Sequence, residues 1–136
     1  MRKLEPDLVI EIDESLFVFD VKYKAFDSQF GVKREDLFQL HTYIGQYGNG
    51  ASTNGCGFVY PISEERWAAL NLDKTQGLMS DVIRQQGQDV PFHVLFLKIP
   101  DNTSLDFNRL MSEQCRMFID TIHSKILIKE KIAAWA

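Results

Sequence analysis

The spacing of apolar and polar positions changes several times along this chain, and each change predicts an element. Asp7-Leu8-Val9-Ile10-Glu11-Ile12 is a short apolar run that reads as a first strand. Asp13-Glu14-Ser15 is a polar turn. Leu16 to Lys24 follows, dominated by aromatic and β-branched residues, and reads as a second strand returning antiparallel to the first. After a polar loop, Glu35 to Tyr47 takes up helical spacing. Leu37, Leu40, His41, Ile44 and Tyr47 form one stripe; Asp36, Gln39 and Tyr43 form another. Residues 47–55 carry Gly48, Gly50 and Gly55 and read as a turn-rich loop.

Further on, Cys56 to Tyr60 reads as a buried strand ended by Pro61, and Ser63 as the cap of a short helix through Leu70. A second helix is expected over Gly77 to Gln86, and Phe92 to Ile99 as the last strand. From Ser104 or Asp106 a helix is expected to Lys129, with Leu110, Met117, Ile119, Ile122 and Ile126 as its apolar face. No Gly or Pro interrupts Asp106 to Ala136, so this is one long helix or two abutting ones. The order of elements predicts an α/β or α+β fold, a mixed central β-sheet flanked by helices.

Composition narrows the class. With 136 residues the chain suffices for one domain with a real core, so residues 1–136 are read as a single domain. A net charge of −4 argues against a non-specific nucleic-acid coat but leaves room for a metal-dependent nuclease, which needs local carboxylates. Cys56 and Cys115 are too few for a disulfide scaffold or a four-cysteine cluster. No signal peptide follows Arg2 and Lys3, and no apolar run is long enough to span a bilayer. A reduced, cytoplasmic protein with no membrane association is the expectation.

The chemistry concentrates in Asp20-Val21-Lys22. Side chains alternate along a strand, so Asp20 and Lys22 share one face while Phe17, Phe19 and Val21 point to the other. Charged groups are rarely buried unless paired or ligated. An ion pair on a solvated sheet face would account for the tripeptide alone. With Asp7 on the neighbouring strand, the set also suits a divalent cation held against a phosphate. Hard oxygen donors suit Mg2+ (or Mn2+), which takes only one or two protein carboxylates. Asp7 and Asp20 could supply them, with the Val21 carbonyl as a third ligand and Lys22 beside the attacking water. Lys24, Lys33 and Arg34 form a local basic cluster suited to phosphate contact.

Pro6-Asp7, then Asp20-Val21-Lys22 on the next strand, then Gln39 and Tyr43 four apart on a helix, together resemble the PD-(D/E)xK nuclease superfamily. Gln39-Leu40-His41-Thr42-Tyr43 resembles the Q-x-x-x-Y motif of its RecB-like branch. The longer string, with Asp20 to Lys24 and Asp36-Leu37-Phe38-Gln39, is similar to the nuclease domain of McrC-type restriction subunits. The resemblance runs from Pro6 to Tyr43. It implies a restriction-endonuclease-like fold, Mg2+-dependent cleavage of DNA and a place in a restriction or DNA-processing system. It also implies an AAA+ GTPase subunit as partner and leaves room for a homodimer. Asp7, Asp20, Lys22, Gln39 and Tyr43 become the expected catalytic set, with Gln39 and Tyr43 contacting DNA or orienting the lysine. Two features depart from the pattern. D-x-K stands where E-x-K is commoner, and the superfamily's usual acid on a helix before the first strand has no counterpart, so an N-terminally truncated domain is expected. The competing expectation is a catalytically inactive nuclease-fold module that binds DNA or protein. Residues 61–136 receive no chemistry.

Overall fold

The computed structural model describes residues 7–12, 15–26, 36, 39, 53–85, 88–103 and 105–127. Five strands form one mixed sheet in the order β1-β2-β3-β5-β4. They are β1 (Leu8–Ile12), β2 (Ser15–Val21), β3 (Thr53–Ser63), β4 (Leu78–Gln85) and β5 (Gln88–Ile99). The helices are α1 (Glu64–Ala69) and α2 (Phe107–Thr121), the latter running into a π-helical segment at Ile122–Leu127. This is the expected mixed central sheet with helices. The described chain clusters into two compact units, one of residues 1–60 and 79–95, the other of residues 61–78 and 96–136.

In the first unit, β1 and β2 pair antiparallel in the register Leu8↔Phe19 to Ile12↔Ser15, whereas β2 and β3 run parallel. Two parallel strands need a long crossover, usually helical, and Asp36 and Gln39 within that crossover are helical. β2 is therefore flanked on both edges and buried on both faces. Leu16, Phe17, Val18, Phe19 and Asp20 are all buried, and Cys56, Phe58, Val59 and Tyr60 of β3 continue that core. The β2–β3 register shifts between Leu16 and Phe17, and there the Asn54 side chain accepts from the Leu16 backbone N–H at 3.2 Å, replacing a ladder bond. Gly57 is dictated by the close approach of β5: a Cβ at this position would lie 1.8 Å from the His93 carbonyl oxygen.

Four expectations are corrected. The strand beginning near Cys56 does not end at Pro61; β3 continues to Ser63. Its ladder with β2 closes at Val59, so Pro61 forgoes no bond on that side by lacking an N–H. The helix expected over Gly77 to Gln86 is instead strand β4. It lies at the edge of the sheet with Met79 and Val82 exposed, so the two-residue alternation that identifies a strand is missing from its sequence. The last strand starts at Gln88, ahead of the expected Phe92. The long C-terminal helix is α-helical only to Thr121, and Met117 and Ile119, expected on its apolar face, are exposed. Thr121 and Ser124 hydroxyls donate to the Met117 and Asp120 carbonyls, competing with the α-helical ladder where it widens.

The second unit keeps the expected Ser63 cap, whose hydroxyl accepts from the Arg66 N–H at 3.1 Å. Leu72, Ile122 and Ile126 are buried within this unit. Trp67 donates to Asp73 at 2.8 Å and has the Lys98 ammonium 5.0 Å from its ring centroid. Gly77, at φ +70°, lies against Trp67, and a Cβ there would come 2.6 Å from the ring. Among the described residues, no helix is long and apolar enough to cross a membrane.

Candidate active site

The antiparallel register that sets Leu8 opposite Phe19 places Asp7, one residue earlier, opposite Asp20. Their carboxyl groups are hydrogen-bonded to each other, and Asp7 Oδ2 also accepts from the Val21 backbone N–H at 2.8 Å. Asp7 is exposed and Asp20 is 5% exposed. This difference separates their acidities. The hydrogen bond from Asp20 holds the Asp7 carboxyl below its ordinary 3.8, helped by the Val21 N–H and the Lys22 charge. Burial pushes the Asp20 carboxyl up, Asp7 pushes it further, and the opposing pull of Lys22 does not compensate.

Lys22 follows Asp20 on the same strand face, and its backbone N–H continues the ladder by donating to the Val59 carbonyl at 2.8 Å. Its ammonium is 2.6 Å from Asp20 Oδ2 and donates to Gln39 Oε1 at 2.8 Å. Phe58, the register partner of Asp20, places its ring 5.5 Å below that ammonium. Phe58 in turn packs edge-to-face on Tyr60 and Phe92, and Tyr60 does the same with Phe26. The charged residues thus rest on an aromatic floor, where few waters screen them.

Asp36 joins the cluster without having been assigned a role from sequence. It is 6% exposed and stands three residues before Gln39, on the same helix face. Its Oδ1 accepts from Lys24 at 2.9 Å and lies 3.6 Å from the Lys22 ammonium. Its Oδ2 is 2.7 Å from Lys24 Nζ, off the axis of a hydrogen bond. The signal was visible in the Asp36, Gln39, Tyr43 stripe, but periodicity alone does not distinguish a buried carboxylate from a solvated one. The carboxylate charge of Asp36, after burial, helps push the Tyr60 hydroxyl up to about 12.

Of the sequence-predicted residues, the structure brings together Asp7, Asp20, Val21, Lys22 and Gln39. Lys24 sits beside them, ion-paired to Asp36. Tyr43, Lys33, Arg34 and His41 lie outside the described residues. Among the described residues, no group of three His, Cys, Asp or Glu side chains stands ready to hold a metal. Two carboxylates in contact nevertheless form a donor set for a hard cation. They are like charges forced together, and a divalent ion between them would offset their repulsion. Elsewhere in this unit, His93 is buried with Nδ1 2.8 Å from the Ser80 hydroxyl, and Cys56 is a buried thiol raised to about 12 by burial.

Residues 1–61 match a protein family described as McrBC 5-methylcytosine restriction system component. The matched segment contains β1, β2, the crossover and most of β3, and so Asp7, Asp20, Lys22, Lys24, Asp36 and Gln39. The chain matches no curated protein.

Proposed function

We propose that this chain is a Mg2+-dependent DNA endonuclease domain of the PD-(D/E)xK superfamily, RecB-like and similar to McrC, working in a restriction system. The observation that carries the reading is the meeting of Asp7, Asp20, Lys22 and Gln39 at one point, from two strands and a helical residue. The similarity of residues 1–61 to a restriction-system family supports it independently.

Asp7 and Asp20 would hold the cation, with the Val21 carbonyl as the further oxygen. When bound, Mg2+ supplies charge neutralisation at the scissile phosphate and makes water a better nucleophile at neutral pH. Lys22 stands beside both carboxylates and stabilises negative charge developing at the attacked phosphate. Gln39 accepts from Lys22 and fixes where the ammonium points. Phe58 and Tyr60 exclude water from beneath the pair. Lys24, Lys33, Arg34 and Tyr43 would contact the DNA backbone, so sequence or methylation specificity falls to a partner, an AAA+ GTPase subunit. A homodimer would let one domain address each strand.

The test is nicking of supercoiled plasmid in Mg2+ or Mn2+. Asp20→Ala and Lys22→Ala are expected to lower the rate by at least about 100-fold each. Nicking at the wild-type rate by either variant overturns the site. Wild-type protein that binds DNA without cutting it supports the alternative, a non-catalytic module.

A further inference from the structure

We propose that Asp36 is a positioning residue, an alternate counter-ion that receives the Lys22 ammonium when a divalent cation takes Asp20. The inference rests on the nuclease reading of the same site and adds a role that the reading does not assign.

Two positive charges compete for Asp20 once a cation binds. Lys22 Nζ lies 2.6 Å from Asp20 Oδ2, so the carboxylate needed for the cation is already occupied by an ammonium. A cation and an ammonium on one carboxylate repel each other strongly in a site where the lysine and aspartate side chains are only 12% and 8% exposed. The ammonium must shift, and a buried charge must arrive at another partner. Gln39 already accepts from it and is neutral, and the Phe58 ring offers only a weak attraction. Asp36 is the other described carboxylate within ion-pair distance, at 3.6 Å. Shortening that contact to charge-assisted hydrogen-bond length takes a movement of under about 1 Å, without a change of backbone.

Lys24 sets how readily this happens. It holds Asp36 from the other side at 2.7 Å and is 41% exposed, so the two lysines share one buried carboxylate. Removing Asp36 and removing Lys24 therefore have opposite consequences for the cation. Without Asp36, Lys22 stays on Asp20. Without Lys24, Asp36 draws Lys22 away more strongly, and Asp20 is released.

Isothermal titration of the whole chain with MgCl2, and separately MnCl2, in the absence of DNA tests this. Asp36→Asn is expected to weaken binding about tenfold, and Asp36→Glu to restore most of it. Lys24→Ala is expected to tighten binding about threefold, the size of an exposed ion pair. A merely structural Asp36 would lower the melting temperature in EDTA while leaving cation affinity unchanged, which overturns the proposal. Weaker binding by Lys24→Ala also overturns it, and this variant decides the matter if Asp36→Asn does not fold. Wild-type protein that binds neither ion overturns the metal-site reading itself, a result distinct from normal wild-type binding with an unresponsive Asp36 variant.

Discussion

Asp20 is placed where its charge is least welcome. It is buried on an interior strand and set against a second carboxylate, and its pKa is raised despite a lysine at 2.6 Å. A raised carboxyl pKa gives stability that is present below the ordinary 3.8 and lost as pH rises through the raised value. Metal-free Asp20→Asn is therefore expected to be more stable than wild type at pH 7, with the advantage shrinking as pH falls toward 4. Asp7 behaves oppositely. Its lowered pKa gives stability present above 3.8 and lost as pH falls through the lowered value, so Asp7→Asn should destabilise at neutral pH. Urea denaturation in EDTA across this range measures both signs, and a metal-free Asp20→Asn less stable than wild type at pH 7 contradicts the reading. Under the proposed ligation, the same Asp20→Asn protein is expected to lose any stabilisation by Mg2+. At this scale much was legible. Asp7, Asp20, Lys22 and Gln39 declared themselves by type and order along the chain. Asp36 did not, because burial is a property of what packs over a residue, and its stripe reads the same whether wet or dry.

At the level of elements, two of the interior strands, β2 and β3, are the plainest in sequence. β2 is apolar on both faces and rich in aromatic and β-branched residues, as a doubly covered strand must be. Their packing has little tolerance. Gly57→Ala would drive a methyl group into the His93 carbonyl of β5, and a loss of about 3 kcal/mol, the upper end for an overpacked site, is expected by denaturant unfolding. A fold that tolerates that substitution without loss would contradict the close approach of β3 and β5. The β4 sequence reads as a helix because apolar Met79 and Val82, of opposite parity along the strand, are both exposed, so no two-residue alternation appears. Its conformation is set by hydrogen bonds to β5, which no local pattern reports. The C-terminal helix was found where expected, but its apolar face was drawn too long, since Met117 and Ile119 remain exposed.

Across the whole molecule, the described residues fall into two compact units with unequal burial. The first holds the buried strands β2 and β3, while α2 in the second has no buried residue along its length. Amide hydrogen exchange is expected to be slowest at Val18, Phe19, Phe58 and Val59 and fast throughout α2. Protection of α2 equal to that of β2 would refute this ranking. The chain by itself determined an antiparallel pair that sets Asp7 beside Asp20, and a helical position for Gln39. It could do so because strand alternation and helical spacing are local, and charged residues in an apolar run stand out. The tertiary structure alone decided which charges meet. Lys22 lies 2.6, 3.6 and 2.8 Å from Asp20, Asp36 and Gln39, and those distances arise only when the chain between two parallel strands brings Asp36 and Gln39 back over a buried strand.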